Sequence, residues 1–221
     1  MNKLFTYPGR IWRFFWRKIE SNTYQIIISL PYFHFVKNTR NSPVACTLRM
    51  WFMQKVLGFN RKVYWPVHFT SKINQYKHMV IGVETCPGYE PGCYIQGIGK
   101  VYIGDYTRIA QNVGIISSNH DLYDSREHNL ASEVRIGKYC WLGMNSIILP
   151  DVNLGDFTIV GAGSIVTKSF PEGYCVVAGN PAKVIKYLDK EKCKPYINHP
   201  EYIGYIKKEE YNDFRKKKLW V

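Results

Sequence analysis

An aliphatic side chain recurs every six positions at Ile136, Leu142, Ile148, Leu154, Val160 and Val166. In four of the six cases the next residue is a glycine: Gly137, Gly143, Gly155 and Gly161. Four positions on, the residue is mostly small: Cys140, Ser146, Val152, Thr158 and Ser164, with Phe170 closing the run. A period of six matches neither the 3.6 of a helix nor the 2 of an ordinary strand. It matches a solenoid of short straight segments, each turning a corner after six residues and sending one aliphatic side chain into a shared core. Glycine suits the crowded or unusual backbone of such corners.

The period reaches upstream with less order. Ile103, Ile109 and Ile115 are again six apart, Ile81-Gly82 repeats the opening pair, and Val67 and Ile73 are candidates for its start. Between Ile115 and Ile136 lie three positions more than three hexads, so a segment must leave the coil there. It begins with the polar stretch from Ser117 to His128. Loops ejected from a rigid scaffold commonly carry sites.

These residues resemble a known family. The repeat comes with Asn119-His120-Asp121, then Cys140-Trp141-Leu142-Gly143, then Val160-Gly161-Ala162-Gly163-Ser164-Ile165-Val166-Thr167-Lys168, then Ala178-Gly179-Asn180-Pro181-Ala182-Lys183. In that order they resemble the hexapeptide-repeat acyltransferases, above all the maltose and galactoside O-acetyltransferases and the sugar O-acetyltransferases of polysaccharide synthesis. The resemblance covers roughly 67–188. It implies an all-β solenoid, a left-handed parallel β-helix, and an acetyl-CoA-dependent transferase that works as a homotrimer. The expected division is a basic, aromatic-rich helical extension or cap over 1–66, a β-helix domain over 67–188 with an ejected loop at 117–133, and a charged helix or frayed tail over 189–221.

Acetyl transfer to a hydroxyl needs a base for the proton and a donor for the oxyanion. Histidine suits the first task, being largely neutral near pH 7. His120 lies in the ejected loop and matches the family's catalytic histidine. Asp121, Asp124 and Glu127 are candidates to orient its ring. His128 shares the loop but lacks the motif. By the same resemblance Trp141 lies near the cofactor arm, Met144 and Ala162 offer backbone to the pantetheine, Thr167 and Lys168 bind the cofactor, and Lys183 and Lys186 meet its phosphates. The last two, three apart, would share one side of a helix. Lysine in place of arginine keeps the charge but loses the fork. For the acceptor, Tyr89, Glu90, Tyr94, Gln96 and Asn119 are candidates, although the stretch from Cys86 to Gln96 departs from the maltose and galactoside enzymes.

Net charge is +13. Eleven basic residues and a single acid, Glu20, fall between Met1 and Trp65, together with Trp12, Phe14, Phe15 and Trp16. Such a flank can close the end of a solenoid or contact an anionic membrane face. The apolar run 24–36 is interrupted by Pro31 and is too short to span a bilayer. No nucleic-acid motif accompanies the charge. Six cysteines without a C-x-x-C pair suit reduced core fillers and a cytoplasmic protein, peripheral at most to the inner membrane. No metal is expected: His68, His78, His120 and His128 lack the spacing of a γ-carbonic-anhydrase zinc site. The remaining alternatives are an antibiotic-inactivating acetyltransferase of the streptogramin or chloramphenicol type, an amino-sugar N-acetyltransferase, and a non-catalytic solenoid.

Overall fold

Every hexad becomes one short strand, and the strands sort into three sheets. The computed structural model describes residues 23–128 and 132–221. Residues 1–22, with the expected aromatic cluster and five of the eleven basic residues of the flank, lie outside the described residues. The first sheet holds β1 (Lys72–Asn74), β3 (Tyr94–Gln96), β6 (Gly114–Ile116), β9 (Ile147–Ile148) and β12 (Ile165–Val166). The second holds β2 (Met79–Ile81), β4 (Lys100–Ile103), β7 (Glu133–Ile136) and β10 (Asn153–Leu154). The third holds β5 (Arg108–Ile109), β8 (Trp141–Leu142), β11 (Thr158–Val160), β13 (Cys175–Gly179) and β14 (Ala182–Tyr187). From β3 to β12 the chain visits the three sheets in rotation, and all neighbours within them are parallel except β13 and β14.

Register explains the repeat. Ile103, Ile136 and Leu154 are aligned in the second sheet, Ile115, Ile148 and Val166 in the first, Leu142 and Val160 in the third. All six hexad positions from Ile136 to Val166 are 0–3% exposed, so each ladder points inward and the three ladders together form the core. At Thr107, Cys140 and Ser164 the small residue two positions before the aliphatic acts as a clamp between coils. The Thr107 hydroxyl donates to the Gly137 carbonyl at 2.7 Å and accepts the Cys140 N–H at 3.1 Å. Thr85 stands in the same relation to Gly104 and Thr107 one coil earlier. A small side chain with a hydroxyl or thiol fits where a corner leaves backbone groups of two coils close together.

The glycines mark crowding more than backbone freedom. A Cβ on Gly104 would lie 2.7 Å from the Gly137 carbonyl carbon. The left-handed turn position is instead three residues after the aliphatic, at Tyr139, Asn145, Asp151, Phe157 and Gly163. Where that residue is aromatic the side chains stack. Tyr106, Tyr139, Phe157 and Tyr174 form a continuous pile with centroid separations of 5.2, 4.8 and 5.1 Å. Stacking at that spacing adds attraction beyond burial, which offsets the left-handed strain of non-glycine residues.

The end at the first coils is closed by segments from both termini. Helical turns lie at 23–29, His34–Asn38, Leu48–Trp51 and Phe52–Val56. Gln54, fully buried, donates to the carbonyls of Asn60, Val63 and Trp65 and accepts from the Val67 N–H and the Tyr205 hydroxyl. The tail departs from the expected solvated or frayed segment. After β14 it returns along the aromatic corner, where Tyr196 packs 4.8 Å from Tyr106. Its helix, Lys208–Lys218, docks at the first coils: Tyr211 is buried and its hydroxyl donates to the Ile81 carbonyl at 2.8 Å. Tyr211, Phe214 and Leu219 supply an apolar stripe inside a highly charged sequence, and that stripe outweighs the charge density that suggested a solvated helix.

Candidate active site

The ejected segment leaves the first sheet after Ile116 and rejoins the second at Glu133. Both of its ends are tied. The Gln96 side chain accepts the Ser118 N–H at 3.0 Å, and the Ser117 hydroxyl donates to the Gln96 carbonyl at 2.6 Å. On the return, the Ser132 hydroxyl donates to Asp151 at 3.3 Å. Gln96, a candidate acceptor contact, therefore holds the start of the loop. Asp151, which spacing did not single out, holds its end.

His120 is exposed and sits at the corner between the first and second sheets. An antiparallel bridge joins it to His128, and the two rings meet edge to face at 4.0 Å. His128 Nδ1 lies 3.2 Å from the Glu127 carbonyl. His128, which lacks the motif, is the ring packed against His120. Two of the three candidate carboxylates, Asp121 and Asp124, are engaged within the loop itself. Asp121 accepts the N–H groups of Tyr123 and Asp124, which lower its pKa. Asp124 pairs with Arg126 at 2.7 Å, the first cause of its lowered pKa. Neither is bound to the His120 ring.

The cofactor candidates fall on two other regions. Trp141 is 55% exposed on the outer face of the third sheet, and Met144 and the exposed Ala162 follow at the corner leading back to the first. Thr167 and Lys168 are exposed where the first sheet ends, at the corner that also releases the His120 loop. Lys183 and Lys186 are on a strand, β14, and not on a helix as their spacing suggests. Lys183 is opposite Ala178 and Lys186 opposite Val176, with a bulge between. Odd separation would put two strand residues on opposite faces. The bulge absorbs one residue, so both lysines stand beside the outward neighbours of buried Val177. Val176 aligns with Ile159 and Ile159 with Trp141. One row on the third sheet therefore runs from Trp141 to Lys186, three strand spacings or ~14 Å.

The same face holds a cavity of about 500 Å³, lined among others by Val44, Tyr89, Glu90, Arg108, Trp141 and Met144. It unites two acceptor candidates with two cofactor candidates. His120 and Asn119 are not in it, and Tyr94 stands on the outer face of the first sheet. Among the described residues no group of three or more His, Cys, Asp or Glu could hold a metal, and no helix is long and apolar enough to cross a membrane.

Residues 133–168 match the family model of the bacterial transferase hexapeptide (six repeats). The repeat is that of the hexapeptide transferases. A 63-residue stretch is 45% identical to nodulation protein L of Rhizobium meliloti (strain 1021), covering 27% of this chain and 34% of that protein. Among solved structures, the chain resembles a galactoside acetyltransferase in complex with coenzyme A (27% identity, 58% of this chain and 68% of that one, TM-score 0.48). It also resembles a maltose O-acetyltransferase from Clostridium difficile 630 (28% identity, 54% and 64%, TM-score 0.44) and the polySia-specific acetyltransferase NeuO (32% identity, 53% and 53%, TM-score 0.41). The chain thus spans about a third of the curated relative and less than two thirds of the maltose enzyme.

Proposed function

We propose that this chain is an acetyl-CoA-dependent O-acetyltransferase acting on a hydroxyl of a sugar or glycan precursor, with His120 as general base. The observation that carries this reading is the pairing of two features. One is a histidine on a loop tied at both ends. The other is an exposed row on the third sheet that begins at Trp141 and ends at two outward lysines. The first suits proton transfer, and the second suits an elongated donor with an anionic end.

In this reading His120 takes the proton of the acceptor hydroxyl as its oxygen attacks the thioester carbonyl. The tetrahedral oxyanion then collapses, the C–S bond breaks, and the imidazolium returns the proton to the departing thiolate. Trp141, Met144 and Ala162 border the donor's arm, and Lys183 and Lys186 meet its phosphates. Thr167 and Lys168 lie on another face of the same chain. A donor groove that uses both faces draws them from neighbouring copies, and closing that contact into the three-fold ring implied by the family resemblance makes the active form a homotrimer of left-handed parallel β-helices with sites between subunits. The exposed Trp141 and Met144 suit such an interface. The basic segment before residue 67 would act as a cap and as a contact for anionic membrane at the cytoplasmic side.

The test is thiol release from acetyl-CoA in the presence of sugars, glycan fragments, amino sugars and antibiotics. Release driven by a saccharide hydroxyl supports the proposal. Release driven only by amines or by an antibiotic replaces it with one of the other transferase readings.

A further inference from the structure

The cavity on the third sheet contains a cationic group that the reading above leaves unused. Arg108 lies on β5, directly beside Trp141 in register. Its Nη2 donates to the Tyr196 hydroxyl at 3.2 Å. Its Nη1 is buried and has no hydrogen-bond partner, and Arg108 forms no ion pair among the described residues. A buried guanidinium N–H without an acceptor costs free energy that a surface one does not. The guanidinium is a planar fork suited to two oxygens of one anion. Of the acids near it, Glu84 accepts from Asn198 at 2.9 Å and Glu90 lines the same cavity.

We infer that this cavity takes an anionic acceptor, a sugar carrying a carboxylate or a phosphate, and that Arg108 reads the charge. The inference rests on the acetyltransferase reading and narrows its acceptor class; because His120 lies outside this cavity, it also rests on the between-subunit site of that reading, in which the cavity of one copy faces the His120 loop of the next. The cavity volume suits one or two sugar rings. Tyr89 offers aromatic surface to a ring face, Trp141 marks the edge that the cavity shares with the donor's arm, and Arg108 selects the oxyanion. Glu90, in the same cavity, opposes the anion. It therefore sets how selective the pocket is for charge.

The experiment compares four acceptors with acetyl-CoA: a disaccharide containing a uronic acid, its carboxyl-reduced neutral counterpart, a sugar phosphate and the free sugar. Wild type should turn over one charged acceptor better than its neutral match, and the preferred pair tells carboxylate from phosphate. Arg108→Gln should lower kcat/KM for the charged acceptor roughly 10- to 100-fold, the range of a charge-assisted hydrogen bond. The neutral acceptor should change less than about threefold. Glu90→Gln, which leaves the strands untouched, should raise kcat/KM for the charged acceptor a few-fold and decides the matter if Arg108→Gln does not fold. Equal turnover of charged and neutral acceptors by wild type, or equal loss of both in Arg108→Gln, overturns the inference. If no acceptor is turned over, the transferase reading fails on its own. Calorimetric binding of the same saccharides and of inorganic phosphate then decides the anion site: charged binding weakened by Arg108→Gln retains it, and indifference to charge removes it.

Discussion

Gly137→Ala is the sharpest probe of how the coils are packed. A Cβ at Gly137 would lie 2.5 Å from Asp156 Oδ1, 2.6 Å from Asp156 N and 2.7 Å from the Gly155 carbonyl carbon. Ordinary carbon contacts begin near 3.5 Å, so the overlap is close to 1 Å on three atoms at once. Two of them are backbone, and the Asp156 carboxylate is held at 2.7 Å by the Lys138 N–H. The coils must separate or tilt. Overpacking of this kind costs ~3 kcal/mol, and for a chain of this size that lowers Tm by roughly 6–12 °C. Gly163→Ala is the matched control. Its Cβ would meet nothing within 4 Å, and only the left-handed φ of +68° is strained. That costs about 1 kcal/mol, or roughly 2–4 °C. Thermal unfolding followed by circular dichroism reads both. If Gly137→Ala loses no more than Gly163→Ala, the corner glycines are there for backbone freedom and the crowding argument is wrong.

Three further outcomes follow from the same geometry. Lys183→Ala with Lys186→Ala should weaken acetyl-CoA binding and flatten its salt dependence; an unchanged affinity and salt slope in titrations would remove these lysines from the site. Burial pushes the thiols of Cys46 and Cys140 up to about 12 and raises those of Cys86, Cys93 and Cys175 as well. A folded pKa above the unfolded value of 9.0 stabilises fully below pH 9 and is lost as pH climbs toward 12. Lys55, pushed down to about 8 by burial, works the opposite way from pH 8 to 10.5 but is outnumbered. Urea midpoints should therefore fall between pH 9 and 10.5, and at pH 8 a thiol reagent should label Cys193 alone in the folded chain; fast labelling of a second thiol contradicts the core assignment. Light scattering should give a trimer whose dissociation abolishes activity, and a fully active monomer would remove the interfacial site.

The repeat was legible because burial recurs every six residues, at the aliphatic and at the small residue two before it, and neither a helix nor an ordinary strand produces that period. The position of the ejected loop followed from three surplus residues between Ile115 and Ile136. Other features left no local trace. Tyr139 and Phe157 give no sign of positive φ, since glycine and asparagine are the usual signals. The bulge in β14 depends on pairing with β13, which spacing alone does not reveal, so Lys183 and Lys186 read as helical neighbours. The docking of Tyr211 against Ile81 joins residues 130 positions apart. Gln96 was visible as a polar residue before the loop, but its hydrogen bond to Ser118 depends on the register of β3 with β6.

The central claim is that His120 performs the chemistry. The direct measurement is turnover of acetyl-CoA with a responsive acceptor by His120→Ala, beside its affinity for coenzyme A. The account predicts a loss of ~10²–10⁴-fold in kcat with nearly unchanged coenzyme A binding, because His120 stands on a different corner from the Trp141 row. Near-normal turnover in the folded variant would contradict it.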